Sequence, residues 1–131
     1  MRRAFQLSQR DREFLDSRDK PWETLIEGPI RWVIIERFEV PVGYDHSVVN
    51  LALRLEASYP DVQIDMAYFS PALARLDGRQ IRALTPLQID GRTWQQWSRH
   101  RTSAEQWRPG LDNIETHVLY ITAFLESELK K

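Results

Sequence analysis

SVVNLALRLE, residues 47–56, puts Val49, Leu51, Leu53 and Leu55 on one side of an extended chain, with Asn50, Arg54 and Glu56 among the residues of the other. Alternation with a period of two marks a strand buried on one face. N-terminal to it, TLIE and IRWVIIERFEV flank Gly28-Pro29 and are rich in β-branched and aromatic residues, which predicts a hairpin. Pro41-Val42-Gly43-Tyr44-Asp45 turns the chain into 47–56. On the C-terminal side Tyr59-Pro60-Asp61 turns it again, and VQIDMAYF supplies a fourth strand with Val62, Ile64, Met66 and Tyr68 on one side. Four successive strands on short links predict an antiparallel meander.

The flanks read differently. Ser8 with Asp11 three residues on, then Phe14 and Leu15, predicts a short capped helix that ends before Lys20-Pro21, an appendage more than part of the core. After Ser70-Pro71 the alternation is lost, and residues 71–88 read as an irregular crossing of the surface. Asp90-Gly91 between LQI and RTW is a short hairpin signal. Asp112 and Glu115 read as a capping box for a closing helix in which Ile114, Val118, Ile121 and Leu125 keep helical spacing and cover the sheet. The expected fold class is α+β: an N-terminal helix, a four-stranded antiparallel meander and a C-terminal helix packed on it. Residues 1–131 form one domain.

Composition narrows the function. A chain of 131 residues has room for one core, and 42% hydrophobic with 28% charged residues excludes a disordered or low-complexity protein. There is no cysteine, which excludes disulfides, thiolate zinc sites, iron–sulfur clusters and any thiol nucleophile. Lys and Arg number 18 against 19 Asp and Glu, so no global field recruits nucleic acid or an anionic membrane, and neither is expected as a partner. The opening MRRAFQLSQRDREFLD lacks an apolar run, which places the protein in the cytoplasm. Three histidines without HxxxH or HExxH spacing predict no metal site, and no cofactor is called for.

The densest chemistry lies in GRTWQQWSRHRTSAEQWRPGLDN, residues 91–113. A serine hydroxyl must lose its proton to a base as it attacks, so Ser98 with His100 in reach is the minimal acyl-transfer pair. Positions i and i+2 share a face only where the chain is extended. Arg99 and Arg101 would then point toward an anionic partner or a developing oxyanion. Asp65 and Asp112 are acids that could orient a histidine. Alternatives stay open: a loop serine beside solvated arginines, a single-strand nucleic-acid platform built from Trp97 and its neighbours, or a small esterase, which would lack the G-x-S-x-G elbow.

Taken together, ERFEVPVGY, LRLEASYPDVQIDMAYFSP, WSRH and WRPGLDNIETHV resemble the ubiquitin-conjugating enzyme fold, and more specifically its bacterial branch, prokaryotic family E, over residues 8–130. The resemblance implies a transferase that takes a ubiquitin-like modifier protein from a ubiquitin-activating-like enzyme and passes it to a target protein, with an operon-encoded peptidase in the same pathway and antiphage defence as its setting. Two departures stand out. The family's catalytic cysteine is missing, and Tyr68-Phe69-Ser70-Pro71-Ala72-Leu73 replaces its His-Pro-Asn motif. The resemblance therefore implies an oxyester on Ser98 with His100 as base, or an inactive scaffold that binds the modifier. It also makes the N-terminal helix, through Arg10, Arg12 and Arg18, a docking surface for the activating enzyme, and Trp97, Arg99 and Arg101 partner-binding residues of the site.

Overall fold

The computed structural model describes residues 1–131. Helix α1 (Gln9–Ser17) leads into strands β1 (Trp22–Glu27), β2 (Ile30–Glu39), β3 (Val48–Leu55), β4 (Ala67–Ser70), β5 (Leu84–Ile89) and β6 (Arg92–Trp97), and helix α2 (Ile114–Glu128) closes the chain. The six strands form one sheet in the order β1-β2-β3-β4-β6-β5, with every neighbouring pair antiparallel. The expected α+β class is present, but the four-stranded meander is not matched: the sheet has six strands, because β5 and β6 extend it beyond β4. Residues 71–88 are irregular only as far as Ala83, because β5 pairs with β6 along its whole length, from Leu84↔Trp97 to Ile89↔Arg92. Pro86, which donates no hydrogen bond, is tolerated because β5 is an edge strand.

The alternation in β3 buries its residues as written. Val49, Leu51, Leu53 and Leu55 join Val33, Ile35 and Phe38 of β2 in the larger core, against Ile114, Ile121 and Leu125 of α2. On β2 the period slips once: Ile35 faces Leu51 and Phe38 faces Val49, so three steps on β2 answer two on β3. This is a bulge, with Arg37 at φ +54°, and it returns Phe38 to the buried face.

The other sheet face is covered by the sheet itself. The β5–β6 hairpin brings Ile89 and Trp94 onto Leu25, Trp32, Ile34, Ala52 and Tyr68 as a second cluster. Its turn is tied across to the N-terminus: Arg2 donates to Asp90 at 2.6 Å and to Glu23 at 3.0 Å, and the Asp90 amide donates to Glu27.

Three further expectations change. VQIDMAYF is not one strand: Met66 adopts φ +62° and Val62 is exposed, while Ile64, Ala67 and Phe69 reach the larger core and Met66 and Tyr68 the other. The kink replaces strict alternation. Helix α1 is no appendage, since Leu15 is fully buried in the main core. Its Ser8 cap is present, accepting from the Asp11 amide. The α2 cap is one residue later than expected: the Asn113 side chain accepts from the Thr116 amide and Thr116 Oγ1 accepts from the Asn113 amide. Asp112 is taken by the backbone and guanidinium of Arg108. Burial raises its pKa, but those bonds, with one from Thr116, outweigh it and keep the carboxyl below its usual range. No helix is long and apolar enough to cross a membrane.

Candidate acyl-transfer site

Between β6 and α2 the chain has only a three-residue 3₁₀ turn, Ser103–Glu105, yet it is fixed along its length. The Ser98 amide donates to Ala83 O at 3.0 Å, Tyr120 of α2 donates to His100 O at 3.0 Å, and the Trp107 indole donates to Pro60 O at 2.8 Å. Arg101 lies over the rings of Trp107 and Tyr120, at 5.0 and 4.6 Å, and donates to His117 Nδ1 at 3.0 Å. A bond accepted at Nδ1 requires the proton on Nε2, which donates to Met66 O at 2.9 Å. His117 is therefore neutral: burial, with the Arg101 charge beside it, lowers its pKa to about 4 against the pull of the Met66 bond.

Ser98 follows directly on β6. Its Oγ accepts from Gln96 Nε2 at 3.1 Å, and Gln96 is the residue two positions back on the same face of the extended chain. His100 is exposed, and its Nδ1 stands 2.9 Å from Asp65 Oδ2. A proton on Nδ1 donated to that carboxylate leaves Nε2 as an open lone pair. Asp65 is fixed in turn by the Met66 amide, which donates to its Oδ1 at 3.1 Å. Ser98 and His100 are thus both in place on one segment, each held by a different neighbour, and no hydrogen bond joins them.

The other expected site residues divide. Trp97 has no exposed surface; it stacks on Phe124 and meets Phe69 and Tyr44 edge-on, so it belongs to the core and offers no face to a partner or a base. Trp94 is also buried, which removes the stacking platform for single strands. Arg99 lies over Trp97 and pairs with Glu128 at 3.3 Å, and Arg101 is engaged as above, so both brace the segment and neither is free for a partner. Arg18 donates to Glu36 O and Arg37 O at the β2 bulge, and burial lowers its pKa. It is a strut for that bulge, not part of a docking face. Arg10 and Arg12 remain exposed on α1. His46 stays in the turn after Tyr44, 3.9 Å from Asp45. No group of three or more His, Asp or Glu side chains converges as a metal site.

Sequence reasoning missed two residues. Gln96 could have been found from its i−2 spacing to Ser98. Arg75 had no signal: its buried guanidinium donates to Asp77, to Glu128 O at 2.7 Å and to Leu129 O, tying the crossing segment to the end of α2.

A serine directly after β6, an open imidazole nitrogen two residues on and a carboxylate behind that imidazole are groups that acyl transfer from a serine would require. Comparison with protein families gives the class: the chain belongs to prokaryotic E2 family E, whose family model matches residues 7–128. It is an E2-like protein of the conjugating type, a transferase class whose partners are an activating enzyme and a modifier protein. No curated protein and no solved structure matches the chain significantly.

Proposed function

We propose that this conjugating protein carries the C-terminal acyl group of its ubiquitin-like modifier as an oxyester on Ser98 and then passes it to a target. The observation that supports this is the Asp65–His100 pair, 2.9 Å apart on the segment that holds Ser98, in a chain without cysteine. In loading, Ser98 Oγ attacks the carbonyl that the activating enzyme presents, and His100 Nε2 takes the hydroxyl proton. Asp65 holds the ring in the required tautomer and stabilises the imidazolium. An oxyester is less activated than a thioester, so the base is needed again when the serine leaves.

The rest of the pathway follows the family. Residues 1–131 act as one conjugating domain in the cytoplasm, the activating enzyme docks on α1 through Arg10 and Arg12, and a peptidase removes the modifier.

The test combines the protein with activating enzyme, modifier and ATP. An adduct that resists thiols and is cleaved by alkali is expected. Ser98→Ala should abolish it and Ser103→Ala should retain it; an adduct that survives Ser98→Ala moves the site. His100→Ala and Asp65→Asn should slow loading, the former by about 10²–10⁴-fold if the histidine is a general base. An unchanged rate for His100→Ala removes the histidine from the mechanism. The missing Ser98–His100 hydrogen bond favours a second reading, a modifier-binding scaffold without covalent chemistry, for which the wild-type protein forms no adduct.

A further inference from the structure

Glu128, the last residue of α2, goes against two local preferences at once. Its side chain is buried, and its carboxylate sits at the negative end of a helix, where an acid opposes the macrodipole. Three cations gather on it: Arg99 Nη2 at 3.3 Å and Lys131 Nζ at 3.7 Å from Oε1, and Arg75 Nη1 at 3.5 Å from Oε2. We propose that Glu128 is a positioning residue for Ser98 and acts through Arg99; this role rests on the Ser98 oxyester reading.

The fork of the Arg99 guanidinium makes the link. Its Nη2 donates to Glu128, while Nη1 donates to Ser98 O and to Arg82 O, both at 3.1 Å, and the group lies over the Trp97 ring at 4.8 Å. The Ser98 amide in turn donates to Ala83 O at 3.0 Å. The peptide planes on both sides of the serine Cα are thus held, and with them the direction of its Cα–Cβ bond; Gln96 then holds Oγ. The second of those planes leads through Arg99 to His100, so the bond from Nη1 also sets the place of the base relative to the nucleophile. A lysine at position 99 would keep the charge but lacks the planar fork that meets two carbonyls and a carboxylate together.

The other large cation of the cluster depends less on Glu128. Arg75 keeps Asp77 at 2.7 Å and the carbonyls of Glu128, Leu129 and Lys131. Removing the Glu128 charge therefore leaves the crossing segment tied to α2 and falls on Arg99, whose one ion pair it is.

The experiment uses the full chain with activating enzyme, modifier and ATP. Initial rates of adduct formation, measured as the conjugating protein is varied over a fixed amount of activating enzyme, give kcat and KM. Glu128→Gln should lower kcat about tenfold and Arg99→Lys up to about 10²-fold, as for a nucleophile displaced by about 1 Å or less. KM should not change, because Glu128 is buried and Arg99 is engaged. Asp77→Asn, which loosens Arg75 and not Arg99, should keep the wild-type rate. A wild-type kcat in either Glu128→Gln or Arg99→Lys, an effect confined to KM, or an equal loss in Asp77→Asn overturns the proposal. If circular dichroism shows Glu128→Gln unfolded, Arg99→Lys decides. The unloaded chain gives a second readout: the carbonyl-carbon NMR signal of Ser98 should move in Glu128→Gln and Arg99→Lys and stay in place in Asp77→Asn. An unmoved signal in the first two counts against the role. A wild-type protein that never loads refutes the oxyester reading and this role with it; one that loads, with variants that load as fast, refutes the positioning role alone.

Discussion

Between α2 and the sheet, most buried polar side chains close on one another, with the Nε of Arg101 an exception. His117 uses both ring nitrogens, Tyr44 donates to Leu125 O at 2.6 Å, and Asp11 accepts from Tyr59 and from the Ile114 amide. Under the β5–β6 hairpin they do not: the buried indole nitrogens of Trp32 and Trp94 have no partner. The larger core holds 21 buried residues and the smaller seven, so the first contributes most of the apolar burial. The candidate site residues draw on both. Arg101 and the backbone of His100 are fixed from α2, whereas Asp65 and Gln96 line a cleft beside Tyr68 of the smaller cluster.

The contrast is sharpest for cavities. Leu125→Ala, which empties a fully buried site under α2, should cost about 2–5 kcal/mol by denaturant unfolding, and Ile89→Ala in the seven-residue cluster should fall at the low end of that range. Equal or reversed costs would put the main core on the wrong face. Acid comes next. His117 titrates near 4 when folded and at its ordinary value of 6.5 when unfolded, so the unfolded chain binds the extra proton between those values. The stability it contributes is complete above pH 6.5 and is lost as pH falls toward 4, by at most about 3 kcal/mol. His117→Leu should flatten that acid limb in a series of melts, while costing about 1–3 kcal/mol at neutral pH for the unpaired Met66 carbonyl and Arg101. An acid limb that persists in the variant assigns it elsewhere. The smallest effect belongs to the other face: Tyr68→Phe, which keeps the ring and removes only a hydroxyl, should change stability by less than about 0.5 kcal/mol. A loss well above that would mean the hydroxyl already has a structural task.

What was legible in the sequence follows from periodicity. β3 and the β1–β2 hairpin stood out because one face of each alternates or is densely β-branched, and α2 because Ile114, Ile121 and Leu125 keep their spacing. The β2 bulge and the kink at Met66 did not, since each depends on a positive φ at a residue, Arg37 or Met66, whose side chain does not announce it. The α2 cap moved by one because Asp112, the better capping residue by type, is drawn to Arg108. In the site, Ser98 and His100 could be named from WSRH, and Asp65 could only be one of two candidate acids, because 35 positions separate it from His100 and the fold alone closes that gap. Trp97, Arg99 and Arg101 looked like a binding surface for the same reason that they are a brace: tryptophan and arginine stack well on a partner or on each other.

Asp11 joins elements at opposite ends of the chain. Its carboxylate accepts from the Ile114 amide at the first turn of α2, 103 positions away, and from the Tyr59 hydroxyl at the turn before β4. Any partner that draws α1 from its seat strips one acceptor from the helix whose Tyr120 and His117 hold the Ser98 segment. Binding at α1 and order at Ser98 would then be linked, and by reciprocity whatever steadies the segment would change the grip on α1 by the same free energy.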